Sequence, residues 1–480
     1  MNTLPNIALA TPEIFIFSMA LVILLVDAFI SSQQRIITYV LTQATLVVAF
    51  IISIKNFSEP AAMVFNDMFI HDTMASILKI VIYVIVFFVF LYSRDYLKSR
   101  GMYRGEYFVL GLFGVVGMMI MVSAASMLTI YMGLELMSLS LYAMVAFQRD
   151  SSRATEAAMK YFVLGAMASG MLLYGMSMIY GVTASLDIAT IRSVIASAGL
   201  DNMPLVFGLV FILVGLLFKL GAVPFHMWVP DVYHGAPTSV TMYISSAPKL
   251  AAFAIIMRLL VGGLEPLAAS WQDMLIIISI LSMTVGNVVA IAQTNIKRML
   301  AYSAISHMGF FLLGIISVSA NGYSSSMIYV LIYAVMSVGA FGIVLLLSRA
   351  GFESEELADF KGLNQRSPWY AFLMLVLMFS MAGVPPTVGF WAKLMVIQAV
   401  VDADMVWLAI VAVLLAVIGA FYYLRIVKLM YFDDAQEDAA VIETSGDVKV
   451  LLSLNALAFL FLLPWLGVIT DLCRKAIADL

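Results

Sequence analysis

Apolar segments long enough to cross a membrane recur along almost the whole of this 480-residue sequence. A spanning helix needs about 20 mostly apolar residues, and about fourteen such segments are present. Hydrophobic residue types make up 63% of the chain and charged types 11%, whereas soluble domains carry about 25% charged residues. So little charge cannot cover the surface of a water-soluble fold. The sequence therefore predicts an all-α polytopic membrane protein surrounded by the lipid bilayer.

Two of the expected spans are interrupted by proline. Pro224 and Pro230 follow Lys219, and the pair Pro385-Pro386 precedes Lys393. Proline removes a backbone donor and clashes with the preceding turn, so carbonyl groups are freed at membrane depth, where only protein or water can cover them.

The fourteen expected spans lie at 7–30, 37–54, 74–93, 105–122, 126–147, 156–181, 203–222, 237–262, 270–292, 297–318, 325–349, 369–401, 405–430 and 450–470.

The two breaks occupy matching places in the chain. Residues 105–262 form five spans with the break in the fourth, and residues 263–430 form five more with the break in the fourth. Because five is odd, the second set enters the membrane from the opposite side. We therefore expect two inverted five-helix repeats, each containing a broken helix, as in ion-coupled transporters. Residues 1–104 are then an N-terminal three-helix segment, and residues 431–480 an acidic loop and a C-terminal helix.

Lysine and arginine are unequally divided between the two sides of the membrane. With the N-terminus outside, sixteen of the 25 basic residues fall in inside loops and five, Arg258 among them, fall in outside loops. Inside loops carry the basic excess in membrane proteins, so both termini are expected to face outward. The acidic stretches 353–359 and 433–447 then lie inside, where we interpret them as solvated loops, with docking of a partner as the alternative.

The remaining four basic residues are lysines inside hydrophobic segments: Lys79, Lys219, Lys249 and Lys393. A charge at mid-helix costs roughly 2.5–3.5 kcal/mol on insertion scales, so each must have something that offsets this cost. Lys79 lies about two turns from Asp72 at the outer end, and snorkelling to the headgroups is its simpler interpretation. The other three lie too deep for snorkelling, and a functional role is the better interpretation.

Glu135 lies at the centre of the fifth span, on one helix face with Tyr131, Ser138 and Tyr142. Interhelical hydrogen bonding is the alternative interpretation of such polar stripes where they contain no charge. Three more stripes follow along the chain: Ser245, Ser246 and Lys249; Ser303, Ser306 and His307; and Tyr329, Tyr333 and Ser337.

The buried titratable groups form a candidate row for proton transfer: Glu135, Lys219, Lys249, His307 and Lys393. Burial disfavours the charged form of acids and bases, so such groups exchange protons more readily. If Glu135 pairs with Lys219, separation of the pair favours release of the lysine proton to the next group. Imidazole passes protons near neutral pH, although a structural hydrogen bond is the alternative for His307.

Several classes of function are excluded. The single cysteine, Cys473, cannot hold an iron–sulfur cluster or a structural zinc, and no glycine-rich nucleotide motif is present. A net charge of -4 without a basic run disfavours nucleic acid. Of the other histidines, we expect His226 and His234 in a loop and His71 at the surface. No cofactor is expected in this chain, so its driving energy comes from an ion gradient or from redox chemistry in a partner.

Five stretches carry a family resemblance: GLELMSLSLYAMVAF, KYFVLGAMASGMLLYGMSMIYG, FKLGAVPFHMWVPDVYHGAPTSVT, QTNIKRMLAYSAISHMGF and AGVPPTVGFWAKL. Together they resemble the antiporter-like subunits of respiratory complex I, the proton-pumping NADH:quinone oxidoreductase. Within that family the chain is most similar to subunit N. Lys393 stands where subunit M has a glutamate, and the run YFVLGAMASGMLLYG is also similar to subunit N.

The resemblance implies roles for four of the buried residues. Glu135 and Lys219 would form a pumping pair, Lys249 would link it onward, and Lys393 would be the terminal proton-handling group. His307 is carried over less directly, since histidine placement differs among these subunits. The FMN, the iron–sulfur clusters and the quinone would belong to other subunits. Partners would be other membrane-arm subunits, including antiporter-like ones, in a bacterial cytoplasmic (inner) membrane with both termini on the periplasmic side.

The expected function is therefore proton translocation driven by quinone reduction in a neighbouring subunit. A subunit of a multi-chain sodium/proton antiporter is the alternative, and sodium-dependent transport without an NADH-linked partner would favour it. A structural membrane spacer is the third possibility, and it predicts normal pumping after the three deep lysines are neutralised.

Overall fold

The computed structural model describes residues 7–198, 202–348, 353–435 and 444–479, and these are almost entirely helical. Two of the sequence expectations involve residues outside the described ranges. These are Arg349, counted among the basic residues of the inside loops, and residues 436–443 of the second acidic stretch. The α-helices in the described ranges are α1 Thr11–Phe29, α2 Ile36–Asn56, α3 Thr73–Ser99, α4 Gly105–Val122, α5 Met127–Val145, α6 Ser152–Thr183, α7 Ile188–Ala198, α8 Met203–Leu220, α9 Trp228–Gly235, α10 Thr238–Ser245, α11 Ala247–Ile256, α12 Ala268–Ala292, α13 Ile296–Ile316, α14 Ala320–Leu347, α15 Leu363–Arg366, α16 Pro368–Ala382, α17 Val388–Asp402, α18 Val406–Phe432, α19 Gly446–Phe461 and α20 Leu466–Ala478.

The all-α membrane architecture predicted from the sequence is confirmed, but the count of fourteen spans is not. In the described residues, 12 helical stretches are long and apolar enough to cross a bilayer, and α19 with α20, bent by 61°, brings the number to 13. The expected span at 369–401 is divided into α16 and α17, which are each too short to cross alone. The structure also contains an antiparallel two-stranded sheet, β1 Ala62–Val64 and β2 Phe69–His71, in the loop before α3.

Both predicted breaks are present, and each begins at a glycine in the left-handed region. Gly221 ends α8 with φ 76° and Gly383 ends α16 with φ 82°, a conformation that costs other residues a steric penalty. The Val223-Pro224 and Pro385-Pro386 bonds that follow are cis. The division of the chain into residues 1–104, 105–262, 263–430 and 431–480 remains a prediction.

Two helix pairs that position the buried site approach closely because glycines face the partner backbone. A Cβ on Gly117 of α4 would lie 2.4 Å from the Met137 nitrogen of α5, and one on Gly286 of α12 would lie 2.6 Å from the Ser306 nitrogen of α13. Small residues are the usual means by which membrane helices approach one another. As a result α5, which carries Glu135, and α13, which carries His307, are held firmly within the bundle.

The centre of the bundle is formed by α10, α11 and α13, whose spans are entirely or almost entirely buried. By contrast α1, α6 and α18 present apolar side chains such as Leu25, Met167 and Val417 outward. Outward apolar faces around a buried centre are what a helix bundle in lipid requires.

The interpretation of Lys79 as a snorkelling side chain is wrong. Lys79 is buried, its Nζ lies 2.5 Å from Oε1 of Glu13 on α1, and it sits 4.9 Å above the ring of Phe69. Glu13 is equally buried, so the pair lies inside the N-terminal three-helix segment. The partner of Lys79 is a carboxylate 66 residues earlier in the chain, which local spacing does not reveal.

Two other sequence expectations, for Arg258 and His71, are corrected. Arg258 does not lie in a solvent-facing loop: it is buried in a π-helical turn at Met257–Gly263, with Nη1 2.6 Å from Oδ2 of Asp72 and Nη2 3.1 Å from the Val122 carbonyl. His71 is buried rather than at the surface, and its Nε2 lies 3.1 Å from the carbonyl of Asn56. Both side chains lie where α3 begins.

The first acidic stretch is also not a freely solvated loop. Glu353 and Glu355 are partly buried and form ion pairs with Arg100 and Lys297, respectively. Through these ion pairs the stretch joins the end of α3 to the start of α13.

Candidate functional site

The five residues predicted to transfer protons come from five different helices that meet in the interior. Glu135 lies on α5, Lys219 on α8, Lys249 on α11, His307 on α13 and Lys393 on α17. The three lysines and the histidine are buried, with Lys249 only 1% exposed. Glu135 is less completely covered than the others.

Lys219 is held by a hydroxyl group and not by a direct ion pair. Its Nζ donates a hydrogen bond of 2.8 Å to Oγ of Ser138, which itself donates to the Leu134 carbonyl at 2.6 Å. In the described residues no hydrogen bond or ion pair joins Glu135 and Lys219 directly, and the pumping pair that the resemblance implies remains a prediction. Glu135 lies one turn from Ser138, and its Oε1 is buried without a partner.

Lys249 binds the free end of the first broken helix. Its Nζ donates to the carbonyl of Leu220 at 2.6 Å and to that of Lys219 at 3.4 Å. The preceding carbonyl, of Phe218, accepts from Nε1 of Trp228 at 2.9 Å. Side chains thus donate hydrogen bonds to the free carbonyls of this break. One of these bonds joins Lys249 directly to the backbone of Lys219.

Lys393 repeats this arrangement at the second broken helix. Its Nζ donates to the carbonyl of Met381 at 2.9 Å and to that of Ala382 at 3.0 Å, the last two residues of α16. It also lies 5.0 Å above the ring of Phe310 on α13. Both breaks therefore have a buried ammonium at two carbonyls just before a left-handed glycine.

His307 lies in a cluster of tyrosines between the two breaks. Its Nδ1 is 2.6 Å from the hydroxyl of Tyr329 and its Nε2 is 3.0 Å from that of Tyr423. The Tyr333 ring packs 5.1 Å from the imidazole, and Ser303 Oγ lies 2.5 Å from the Tyr423 hydroxyl. Because both ring nitrogens have hydroxyl partners, a proton can arrive at one nitrogen and leave from the other.

A pair of serines lies between the Lys249 helix and the tyrosine cluster. Ser337 Oγ, one turn from Tyr333 on α14, donates to Ser245 Oγ at 2.7 Å. Ser245 ends α10 just before the distorted backbone of Ser246 that separates α10 from α11. Hydroxyls both donate and accept, so this pair supplies a polar step across the apolar centre.

Several residues of the site were missed from the sequence. Tyr423 and Asn287 lie in strongly apolar helices, and the Asn287 Oδ1 accepts from Tyr422 at 3.2 Å. Ser282 of α12 accepts from the Val223 nitrogen at 2.9 Å and so satisfies the first break from the other half of the chain. Each of these residues is a polar residue in a long apolar run, and that pattern could have indicated a buried polar group. The pattern does not reveal which residue each side chain contacts.

The remaining histidines and possible metal ligands are peripheral to this row. His226 is half-buried in the break after α8, in a loop as expected, whereas His234 lies in the last turn of α9 and not in a loop, with its Nε2 3.5 Å from Oε2 of Glu355. Within the described ranges, no three His, Cys, Asp or Glu side chains cluster as a metal site would need.

Comparison with known proteins gives the same family as the motifs. Residues 124–419 match the family model described as "NADH:quinone oxidoreductase/Mrp antiporter, TM". The NADH-quinone oxidoreductase subunit N of Thioalkalivibrio sulfidiphilus is 59% identical over 99% of both chains. That of Nitrosomonas europaea is 56% identical over 96% of this chain and 95% of its own.

Solved structures share the architecture. A chain of respiratory complex I from Thermus thermophilus with bound aureothin superimposes with a TM-score of 0.83 at 26% identity, covering 97% of this chain and 100% of that one. A chain of the Mrp complex from Dietzia sp. DQ12-45-1b gives a TM-score of 0.85 at 20% identity, covering 98% of this chain and 97% of its own. At that identity the second match shows the common fold alone.

The chain therefore belongs to the family of antiporter-like membrane subunits that NADH:quinone oxidoreductases and Mrp antiporters share. Within this family it groups with subunit N of NADH-quinone oxidoreductase, since its relatives of that name match over nearly their whole length. The resemblance seen in the sequence motifs is confirmed.

Proposed function

We propose that this chain is a proton-translocating membrane subunit of an NADH:quinone oxidoreductase and moves protons while quinone is reduced in another subunit. The family and the names of its relatives support this function. On this proposal the chain lies in the bacterial inner membrane with both termini on the periplasmic side. Its partners are the other membrane-arm subunits, including antiporter-like ones, and the FMN, the iron–sulfur clusters and the quinone belong to other subunits of the complex.

The observation that carries the proposal is the pair of lysines bound to freed helix carbonyls. Lys249 and Lys393 each have two carbonyl acceptors, so an ammonium can persist at membrane depth. The region between them contains groups that accept and donate protons: the Ser245–Ser337 pair, the tyrosine cluster and His307.

In the proposed mechanism Glu135 acts through its charge on Lys219. When the carboxylate is near, the Lys219 ammonium is favoured, and when it moves away the ammonium releases a proton towards Lys249. Lys249 passes a proton through the serine pair to the tyrosines and His307. Lys393 receives it at the second break, where it is released from the chain.

The proposal is tested in the assembled enzyme in proteoliposomes by measuring protons translocated per electron. Lys249→Arg keeps the charge and the donors but cannot release a proton, so we expect normal assembly and loss of translocation. Lys219→Ala and Glu135→Ala should also lose it. Lys428→Met is the control, because that side chain is 70% exposed at the end of α18.

Two outcomes would contradict the proposal. Full coupled pumping in Lys249→Arg together with Lys219→Ala would mean that the lysines serve only to bind the helix ends. Transport that requires sodium and persists without any NADH-linked partner would favour the sodium/proton antiporter, whose fold this chain shares.

A further inference from the structure

A short acidic segment, residues 353–357, crosses the inner ends of the helices; we call it the inner strap. Its backbone is attached to the start of α13. The Ile296 nitrogen donates to the Glu355 carbonyl at 2.7 Å, and the Leu357 nitrogen donates to the Thr294 carbonyl at 2.8 Å. The strap is therefore fixed along its length to the helix that carries His307.

The first carboxylate of the strap binds α3 and the beginning of α10. Glu353 Oε1 accepts from the Tyr96 hydroxyl at 2.8 Å and from Arg100 Nε at 2.7 Å. Its Oε2 accepts from Thr238 Oγ1 at 3.4 Å, and the Thr238 nitrogen donates to the same Tyr96 hydroxyl at 3.2 Å. Thr238 is the first residue of α10, so Glu353 holds the inner end of the span that leads to Lys249.

The second carboxylate binds the end of α9. Glu355 Oε2 lies 2.8 Å from Arg153 Nη1 and 3.5 Å from His234 Nε2, while its Oε1 lies 3.3 Å from Lys297 Nζ. Lys297 also donates to the Ala236 carbonyl at 2.9 Å. Glu355 therefore holds the last turn of α9 and, through Lys297, the residue that follows it.

The piece of backbone between these two contacts is the connection between the two lysine-bearing spans. α9 follows the break after Lys219, α10 leads to Lys249, and only Ala236 and Pro237 separate them. The two carboxylates are two residues apart in the chain, with the Glu355 nitrogen donating to the Glu353 carbonyl at 2.9 Å, and they hold opposite ends of this α9–α10 turn. Any displacement of the turn would change where the Lys249 amine meets the carbonyls of α8.

The Glu355 carboxylate of the strap is ionised at neutral pH. Burial favours the neutral acid, but the hydrogen bond with His234 and the charges of Lys297 and Arg153 outweigh it and lower the pKa of Glu355 to about 2. At neutral pH the Glu355 carboxylate is thus ionised, so the strap stays attached there and is not a gate that opens near neutral pH.

We propose that Glu355, together with Glu353, is a positioning residue for proton transfer: it holds the α9–α10 turn so that Lys249 stays in register with the broken end of α8. This inference rests on the proposed function, since it concerns the alignment of the lysines through which protons move. It adds to that function a part of the chain outside the buried row, supplied by the loop of the second half.

The test is Glu355→Gln in the assembled enzyme, with protons per electron as the readout. We expect the ratio to fall below that of the unaltered enzyme, because Glu355 no longer holds the last turn of α9 by ion pairs. NADH-to-quinone electron transfer and the amount of assembled enzyme should stay normal. Glu355→Asp, which keeps the charge, should restore part of the ratio. Glu156→Gln is the control, since it removes a 68% exposed carboxylate of the same inner surface.

A Glu355→Gln enzyme with a normal ratio but less assembled protein would overturn the inference, because the strap would then only stabilise the fold. If Glu355→Gln does not assemble, Glu353→Gln applies the same test to the other end of the turn, where a normal ratio has the same meaning. Lys219→Ala is measured in parallel. If it also pumps normally, the proposed function fails; if it alone loses pumping, only the inference about the strap fails.

Discussion

Ser138 offers the sharpest test of how Lys219 is held, because one hydroxyl group supports that ammonium. In the described residues Lys219 Nζ has no hydrogen-bond partner besides Ser138 Oγ, at 2.8 Å. Since that hydroxyl donates to the Leu134 carbonyl, a lone pair is directed at the amine. A hydrogen bond to a charged group contributes about 1.5–3 kcal/mol, and about 1.4 kcal/mol corresponds to a factor of ten.

Ser138→Ala should therefore slow proton translocation by about 10- to 100-fold if transfer through Lys219 limits the rate. The assay is the initial rate of proton uptake in proteoliposomes, normalised to assembled enzyme and to NADH oxidation. Ser140→Ala is the matched control: Ser140 lies on the same helix and donates to the Leu136 carbonyl at 2.8 Å, but it contacts no lysine. Equal rates in the two alanine variants would refute the reasoning.

Three further predictions concern parts of the chain around the row. Glu13→Gln and Lys79→Met should each lower the free energy of unfolding by about 3–5 kcal/mol, because the remaining charge stays buried without its partner. The double variant Glu13→Leu/Lys79→Met should recover most of the lost stability. The measurement is the thermal shift in detergent. Gly383→Ala should reduce pumping more than Gly101→Ala. Both substitutions cost about 1–2 kcal/mol because each glycine has a positive φ, but only at Gly383 does the new Cβ come within 2.9 Å of Cδ of Lys393. The pKa of Glu355 in the folded protein lies below its ordinary value of 4.5, so the attachment of the strap is complete above pH 4.5 and is lost as the pH falls towards 2. Hydrogen exchange at 353–357, corrected for intrinsic rates, should therefore be faster at pH 3 than at pH 5.

The parts of the fold that the sequence predicted are those that a local pattern determines. Membrane spans follow from runs of apolar residues, and the helix breaks follow from Pro224 and Pro385. The burial of Lys219, Lys249 and Lys393 follows because each is flanked on both sides by enough apolar residues to prevent its escape. Each of these inferences needs only neighbours along the chain.

The parts that were missed depend on which helices are neighbours in space. Lys79 has the same local sequence whether it reaches the headgroups or meets Glu13, and only the position of α1 in the bundle decides between them. The strap is a similar case, since Tyr96 and Glu353 are 257 positions apart. An acidic stretch without periodic apolar residues is typical of a solvated loop. Nothing within the stretch indicates which basic residues of other helices it contacts.

The chemistry of the two breaks explains why lysine suits them better than other charged residues. An ammonium has three donors, and Lys249 and Lys393 each use two of them on helix carbonyls. The third is free to leave as a proton, and the neutral amine that remains still donates two hydrogen bonds, so the broken helix stays capped in both protonation states. Arginine would cap the helix but would not release a proton, and a carboxylate would repel the carbonyls. A lysine at each break therefore holds the helix end and carries a proton with the same atom, and proton transfer need not undo the fold at the point where it occurs.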